Sequence, residues 1–175
     1  CQIGNLGGHA IGLSGMDGNM IKCKPLDDKH GFVGEIIKTN MDVIKEVLEN
    51  NFIPVISTIG YDEQGNCYNI NADTVAAQIA GDLKAEALIS MTDIVGLLRD
   101  INDESTIIQK VFISEIPALI ADGIIKGGMI PKIDSMTQAI RNGCTKAFII
   151  DGRVPHSILM ELLTDEGMGT MFKGR

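Results

Sequence analysis

The chain has 175 residues, 45% of them hydrophobic and 22% charged, enough for one large or two small globular domains with a sizeable core. Set against 23 Asp and Glu, 15 Lys and Arg leave a net charge of −8, which argues against nucleic acid or an anionic membrane surface as the main partner. A small anionic ligand is still admissible, because a few focused donors can hold one.

Residues 1–31 are glycine-rich with short apolar runs ("HAIGLSG", "NMIKC"), a pattern of short strands joined by turns, with "DG" at 17–18 as a turn signal. "FVGEIIKTN" is a strand. Asn40 is the expected N-cap of a helix over 41–50, whose apolar face is Met41, Val43, Ile44, Val47 and Leu48. "FIPVIST" has the character of a strand buried on both faces. "DEQGNCYNI" is a polar turn and the return strand of a hairpin.

A helix follows over 72–82, with Ala72, Ala76, Ala77 and Ala80 small enough for close packing on a sheet. "EALISMT" is a further buried strand. Residues 114–122 form a helix with Ser114 as N-cap and Gly123 beyond its end. Residues 131–142 form another, opened by Pro131 and closed by Gly143. "AFIID" is a strand, 156–163 a helix, and "GTMF" a last strand. This alternation predicts an α/β fold with an open, mainly parallel sheet flanked by helices on both faces, a three-layer sandwich. A boundary is expected near 85–88, giving segments 1–87 and 88–175. Ligands in such sheets bind beyond the C-terminal ends of strands.

The four cysteines (Cys1, Cys23, Cys67, Cys144) are scattered without a C-x-x-C pair, which points to a reduced, cytoplasmic protein. His9, His30 and His156 do not sit at zinc-ligand spacing, so no metal held by protein side chains is expected. No apolar run reaches membrane-spanning length and no signal peptide is visible. Because the sequence opens on Cys1 and glycine-rich polar residues, it is expected to be part of a longer protein.

Three stretches could carry chemistry. In "GGMIPK" (127–132), Lys132 falls in the first turn of a helix, beside unpaired N–H groups and the positive end of the dipole. A lysine there suits a bound anion, with Gly127 and Gly128 allowing close backbone approach; it also suits a plain turn with a solvated lysine. In "NINADT" (69–74), Asn69 and Asn71 point to one side of an extended segment and can hold a carboxylate. Asn71 could equally cap the helix, with Asp73 favourable to its dipole. In "SMTDIVGLLRD" (90–100) a strand ends in the ligand zone and Gly96 permits a sharp turn, with or without a ligand. The Walker pattern and the protein-kinase signatures are absent.

Taken together and in order, "GLSGMDG", "VGEI", "IPVIS", "NINADTVAAQIA", "ALISMTDIVGLL", "GGMIPKI" and "IDGRVPHSILMELLTDEGMGTM" resemble the N-acetylglutamate kinases of the amino acid kinase family. The resemblance covers nearly the whole chain, and "NINAD" with "GGMIPK" distinguishes it within the family. It implies ATP-dependent phosphorylation of the side-chain carboxylate of N-acetyl-L-glutamate to an acyl phosphate, in arginine biosynthesis, with Mg²⁺. It makes 1–87 the end of the acetylglutamate lobe and 88–175 the ATP lobe.

Residue by residue, the resemblance makes Lys132 a catalytic lysine that stabilises the transferring phosphoryl group. Asp73 becomes the acid that orients lysines around the phosphates. Asn69 and Asn71 become acceptor-binding residues. Asp93, Ile94, Val95, Gly96, Leu97 and Leu98 match a first nucleotide segment, and Ile124, Ile125, Lys126, Gly127 and Gly128 a second. Glu161 and Gly167 match positions of an arginine effector site. A homo-oligomer is implied for the whole protein. Met16 stands where the family commonly has lysine, and no "K-x-G-G" segment for a first catalytic lysine appears, so the chain alone is expected to have little or no kinase activity. Two other readings fit the same residues. One is a non-catalytic sensor of nucleotide or arginine. The other is a kinase for an aminoadipate-type acceptor, against which Asn71 weighs.

Overall fold

The computed structural model describes residues 2–164 and 167–175. The chain divides into two compact units, 1–75 and 76–175. The first contains α1 (Gln2–Asn5), β1 (Ala10–Ser14), β2 (Ile21–Pro25), β3 (Gly34–Thr39), α2 (Asp42–Glu49), β4 (Ile53–Ser57), β5 (Ile59–Tyr61) and β6 (Cys67–Asn69). β1 and β4 pair in parallel, with Ala10 opposite Ile53 and Ser14 opposite Ser57. The other sheet has the order β3-β2-β5-β6; β2/β3 and β5/β6 are antiparallel and β2/β5 parallel. Met20, Ile21, Cys23, Ile44 and Tyr68 are buried in this unit.

The expected hairpin at 62–70 is present, and its turn is organised by one carboxylate. Asp62 accepts from the backbone N–H of Gln64 and of Asn66, from the Asn66 side-chain amide and from the Tyr68 hydroxyl. Two expectations change. Asn40 does not sit at the cap position; α2 starts at Asp42, after Met41, and Asn40 Oδ1 accepts the Asp42 N–H at 3.1 Å from one residue further out. Nor is β4 buried on both faces: Ile53 and Val55 share a side and remain 48% and 50% exposed. A strand is fully buried only when layers cover both sides, and β4 has a single strand partner, β1.

α3 (Ala72–Asp82) begins in the first unit and continues into the second, at the bounds expected from its pattern. The second unit adds β7 (Leu88–Thr92), β8 (Lys110–Phe112), α4 (Ile116–Ala121), α5 (Met129–Arg141), β9 (Lys146–Asp151), α6 (Ser157–Leu163) and β10 (Thr170–Lys173). The sheet order is β7-β9-β10-β8, parallel for β7/β9 and β8/β10 and antiparallel for β9/β10. Its core is Leu97, Val111, Ile116, Ile125, Ile133, Met136, Ala147, Ile149 and Phe172. The small residues of α3 pack closely as expected, but against a helix: Ala77 and Ala80 meet Ala139 of α5 and Cys144. A Cβ on Gly81 would lie 2.7 Å from Asn142 Cβ, so the chains approach there as near as glycine permits.

Three local expectations are corrected here. β7 is an edge strand, half-buried rather than buried, with Met91 50% exposed. Ser114 is not a helix cap, because a 3₁₀ turn (Ile113–Glu115) precedes α4 and the Glu115 carboxylate takes the Phe112 N–H at 2.7 Å. α5 begins two residues early, at Met129, which makes Pro131 its third residue and Lys132 its fourth. All of the first three helical N–H groups lack intrahelical acceptors, so proline is tolerated anywhere among them. The short α1 and β8 were not anticipated. The architecture is α/β, with mixed, mostly parallel sheets flanked by helices.

Candidate nucleotide cleft and acceptor segment

β7 and β9 run in parallel and end together, with Thr92 opposite Asp151. The chain leaving β7 turns sharply. Thr92 Oγ1 accepts the Ile94 N–H at 2.9 Å, and Gly96 takes φ +144°. The following N–H, that of Leu97, donates to Thr170 Oγ1 on β10 at 2.8 Å. A Cβ on Gly96 would lie 2.7 Å from that same oxygen, so the turn needs glycine both for its dihedral and for its contact.

A second segment arrives from the end of α4. Gly123 has φ +72°, and the N–H groups of Ile124 and Ile125 both donate to the Leu119 carbonyl, at 3.0 and 3.1 Å. Gly127, with φ +57° and open space where a Cβ would stand, then leads through Gly128 into α5.

The two segments line one cleft of about 520 Å³, within the range of small-molecule sites. Ile94, Val95, Gly96 and Leu98 come from the first, and Ile124 and Lys126 from the second. Leu97 and Ile125 instead point into the core, 0% and 1% exposed, and do not line the cleft. Asp93, Gly127, Gly128 and Lys132 are not among the cleft-lining residues. Lys132 is half-buried and donates from Nζ to Ser90 Oγ on β7 at 3.3 Å, which sets its ammonium beside the strand that feeds the cleft.

The cleft has charged walls to which the sequence reading gave no individual role. Arg99, Asp100, Glu104 and Asp122 line it, as does Arg153. Arg153 belongs to "IDGRVP", a stretch that entered the resemblance without any role for its arginine. Its neighbour Asp151, at the tip of β9, accepts from the Arg153 backbone N–H (2.8 Å), Nε (2.9 Å) and Nη2 (2.8 Å). The guanidinium holds the Asp151 carboxyl below the usual carboxylate range, and Asp151 in turn raises the Arg153 pKa.

In the first unit, Asn69 ends β6 with an exposed side chain, its backbone N–H donating to the Phe32 carbonyl at 2.8 Å. Asn71 caps α3: its Oδ1 accepts the Thr74 N–H at 3.2 Å. Asp73 lies in the first turn of that helix. Glu161 and Gly167 come together, but the Glu161 carboxylate is engaged by the backbone N–H groups of Met168 (2.5 Å) and Gly169 (3.0 Å). Among the described residues, no group of three or more His, Cys, Asp or Glu could hold a metal ion, and no helix is long and apolar enough to cross a membrane.

The cleft lies beyond the C-terminal ends of parallel strands, is turned by glycines and carries charged side chains of both signs, the place where α/β proteins commonly bind small ligands. The chain belongs to the amino acid kinase family, whose model matches residues 2–151. It is 52% identical over 170 residues to an acetylglutamate kinase of Brachyspira hyodysenteriae, covering 96% of this chain and 59% of that protein. The chain thus spans about 60% of the length of the curated relatives it matches. The crystal structure of smu.665 from Streptococcus mutans superimposes with a TM-score of 0.78 at 31% identity, covering 98% of this chain and 64% of that one. Carbamate kinase from Giardia shares the fold at 16% identity, with a TM-score of 0.70 over 99% of this chain and 65% of its own.

Proposed function

We propose that the protein carrying this chain phosphorylates the side-chain carboxylate of N-acetyl-L-glutamate with ATP, on the route to arginine. The carrying observation is that Ile94, Val95, Gly96 and Leu98 line one cleft with Ile124 and Lys126, far apart in sequence. The acceptor is taken from the name of the relatives, acetylglutamate kinase, and the 52% identity to one of them supports it.

The chemistry asks for little beyond positioning and charge neutralisation. A carboxylate oxygen attacks the γ-phosphorus, the bond to the bridging oxygen of ADP breaks, and negative charge moves to the leaving diphosphate. A carboxylate is already ionised near neutral pH, so no general base is needed. Lys132 offsets the charge on the transferring group. Asn69 and Asn71 hold the acceptor through their amides, and Asp73 orients basic groups around the phosphates. Mg²⁺ accompanies ATP. It would enter with the phosphates of ATP and would offset their charge during transfer. Segments 1–87 and 88–175 are the acceptor and nucleotide lobes of a cytoplasmic homo-oligomer, and Glu161 with Gly167 belongs to an arginine effector site.

The full-length protein, given ATP, Mg²⁺ and N-acetyl-L-glutamate, should release ADP and form an acyl phosphate that hydroxylamine traps as a hydroxamate, displacing phosphate. ATP binding without turnover would favour a sensor instead. Faster turnover with an aminoadipate-type acceptor would reassign the substrate. Unchanged rates on titrating arginine would remove the effector site.

A further inference from the structure

We infer that Arg153 is a nucleotide-contacting residue, clamped by Asp151 so that its remaining guanidinium N–H groups donate to a phosphate oxygen in the cleft. The inference rests on the reading of that cleft as a nucleotide site.

Three observations carry it. First, Arg153 lines the same cleft as Ile94–Gly96 and Lys126. The β9 tip from which it springs is tied to the nucleotide turn, since the Gly152 N–H donates to the Thr92 carbonyl at 2.8 Å. Second, the guanidinium is pre-oriented. Nε and Nη2 are spent on a carboxylate whose side chain is only 9% exposed, while the Arg153 side chain is 66% exposed. A fork held on one edge keeps a fixed plane and presents its other edge at little further entropic cost. Third, no protein group among the described residues takes Nη1, which is left for a ligand or for water. Arginine held in this way favours phosphate oxygens, because its paired N–H groups match their geometry. Asp151 would not touch the nucleotide; it is the positioning residue.

Isothermal titration of ATP into the protein and its variants tests the assignment. Arg153→Gln should raise the ATP Kd about tenfold or more, as loss of one charge-assisted hydrogen bond implies. Its unliganded melting temperature should fall modestly, because the nearly buried Asp151 carboxylate loses its cation, so the titrations are run well below that temperature. Arg153→Lys should lose most of the same affinity, since one ammonium cannot hold Asp151 bidentately and present a second edge. Asp151→Asn should weaken ATP several-fold, and the double variant Asp151→Asn/Arg153→Gln should bind no worse than Arg153→Gln alone, a coupling that a purely structural Asp151 would not produce. If the unaltered protein binds ATP and Arg153→Gln binds it within twofold, the inference is overturned while the nucleotide cleft stands. If the unaltered protein binds no ATP, the cleft reading falls and the inference with it.

Discussion

The hydroxyl of Thr170 accepts the backbone N–H of Leu97 at 2.8 Å, joining the last strand of the chain to the turn that forms one wall of the cleft. Both residues are 0% exposed, so no water can replace the partner if it is lost. Thr170→Val keeps the volume and removes the acceptor. It should cost about 1–3 kcal/mol, the penalty of an unsatisfied buried N–H, read as a lower urea midpoint at unchanged slope. Thr170→Ser should recover most of the loss, because the oxygen remains.

Lys132 and the cleft should separate kinetically. The ammonium is anchored at Ser90 and is not part of the cleft lining. Lys132→Met in the full-length protein should therefore lower kcat about 100- to 1000-fold, the scale of removing one group aimed at developing charge. The ATP Kd should change far less. Steady-state rates beside calorimetry check this, and an equal loss in both would make Lys132 a ground-state contact instead.

Where signals are local, the sequence carried them well. α3 ends where its alanine-rich pattern ends, and the hairpin at 62–70 follows from a polar turn between two short apolar runs. Signals that depend on distant partners were weaker. The burial of "FIPVIST" is decided by what covers β4, and the half-buried state of "LISMT" by its place at a sheet edge. Pro131 could not say whether it was first or third in α5, because both positions spare its missing N–H. At the site, the glycine turns were legible from composition, and the two segments singled out by the resemblance both contribute to one cleft. Arg153 was not legible, since its meaning comes from Asp151 and from a strand tip that borders the cleft only in three dimensions. Leu97 and Ile125 show the converse, motif residues whose side chains serve the core.

Asp62 should make the stability of the first unit pH-dependent in one direction. Hydrogen bonds, the largest from the Asn66 side chain, hold its carboxyl below the usual range despite its burial. A depressed folded pKa means that the stabilisation is complete above the unfolded value, about 3.9, and disappears as pH falls through the folded value. Asp62→Asn lacks this titration. The drop in urea midpoint between pH 7 and pH 3 should be larger for the unaltered protein than for Asp62→Asn, and equal drops would count against the assignment.

Asn71 carries two separable tasks. Its Oδ1 caps α3 through the Thr74 N–H, and the proposed function gives it the acceptor as well. Asn71→Ala removes both, so it should lower stability by about 1 kcal/mol, the usual cost of losing a cap, and weaken the acceptor. Asn71→Asp keeps an oxygen at the cap, and its charge suits the positive helix end, so thermal stability should hold or rise slightly. The same charge would face an anionic acceptor, and the KM for N-acetyl-L-glutamate should rise tenfold or more while the KM for ATP stays put. Thermal melts together with the two KM values separate the roles. If Asn71→Asp melts normally and leaves the acceptor KM unchanged, Asn71 is a helix cap alone.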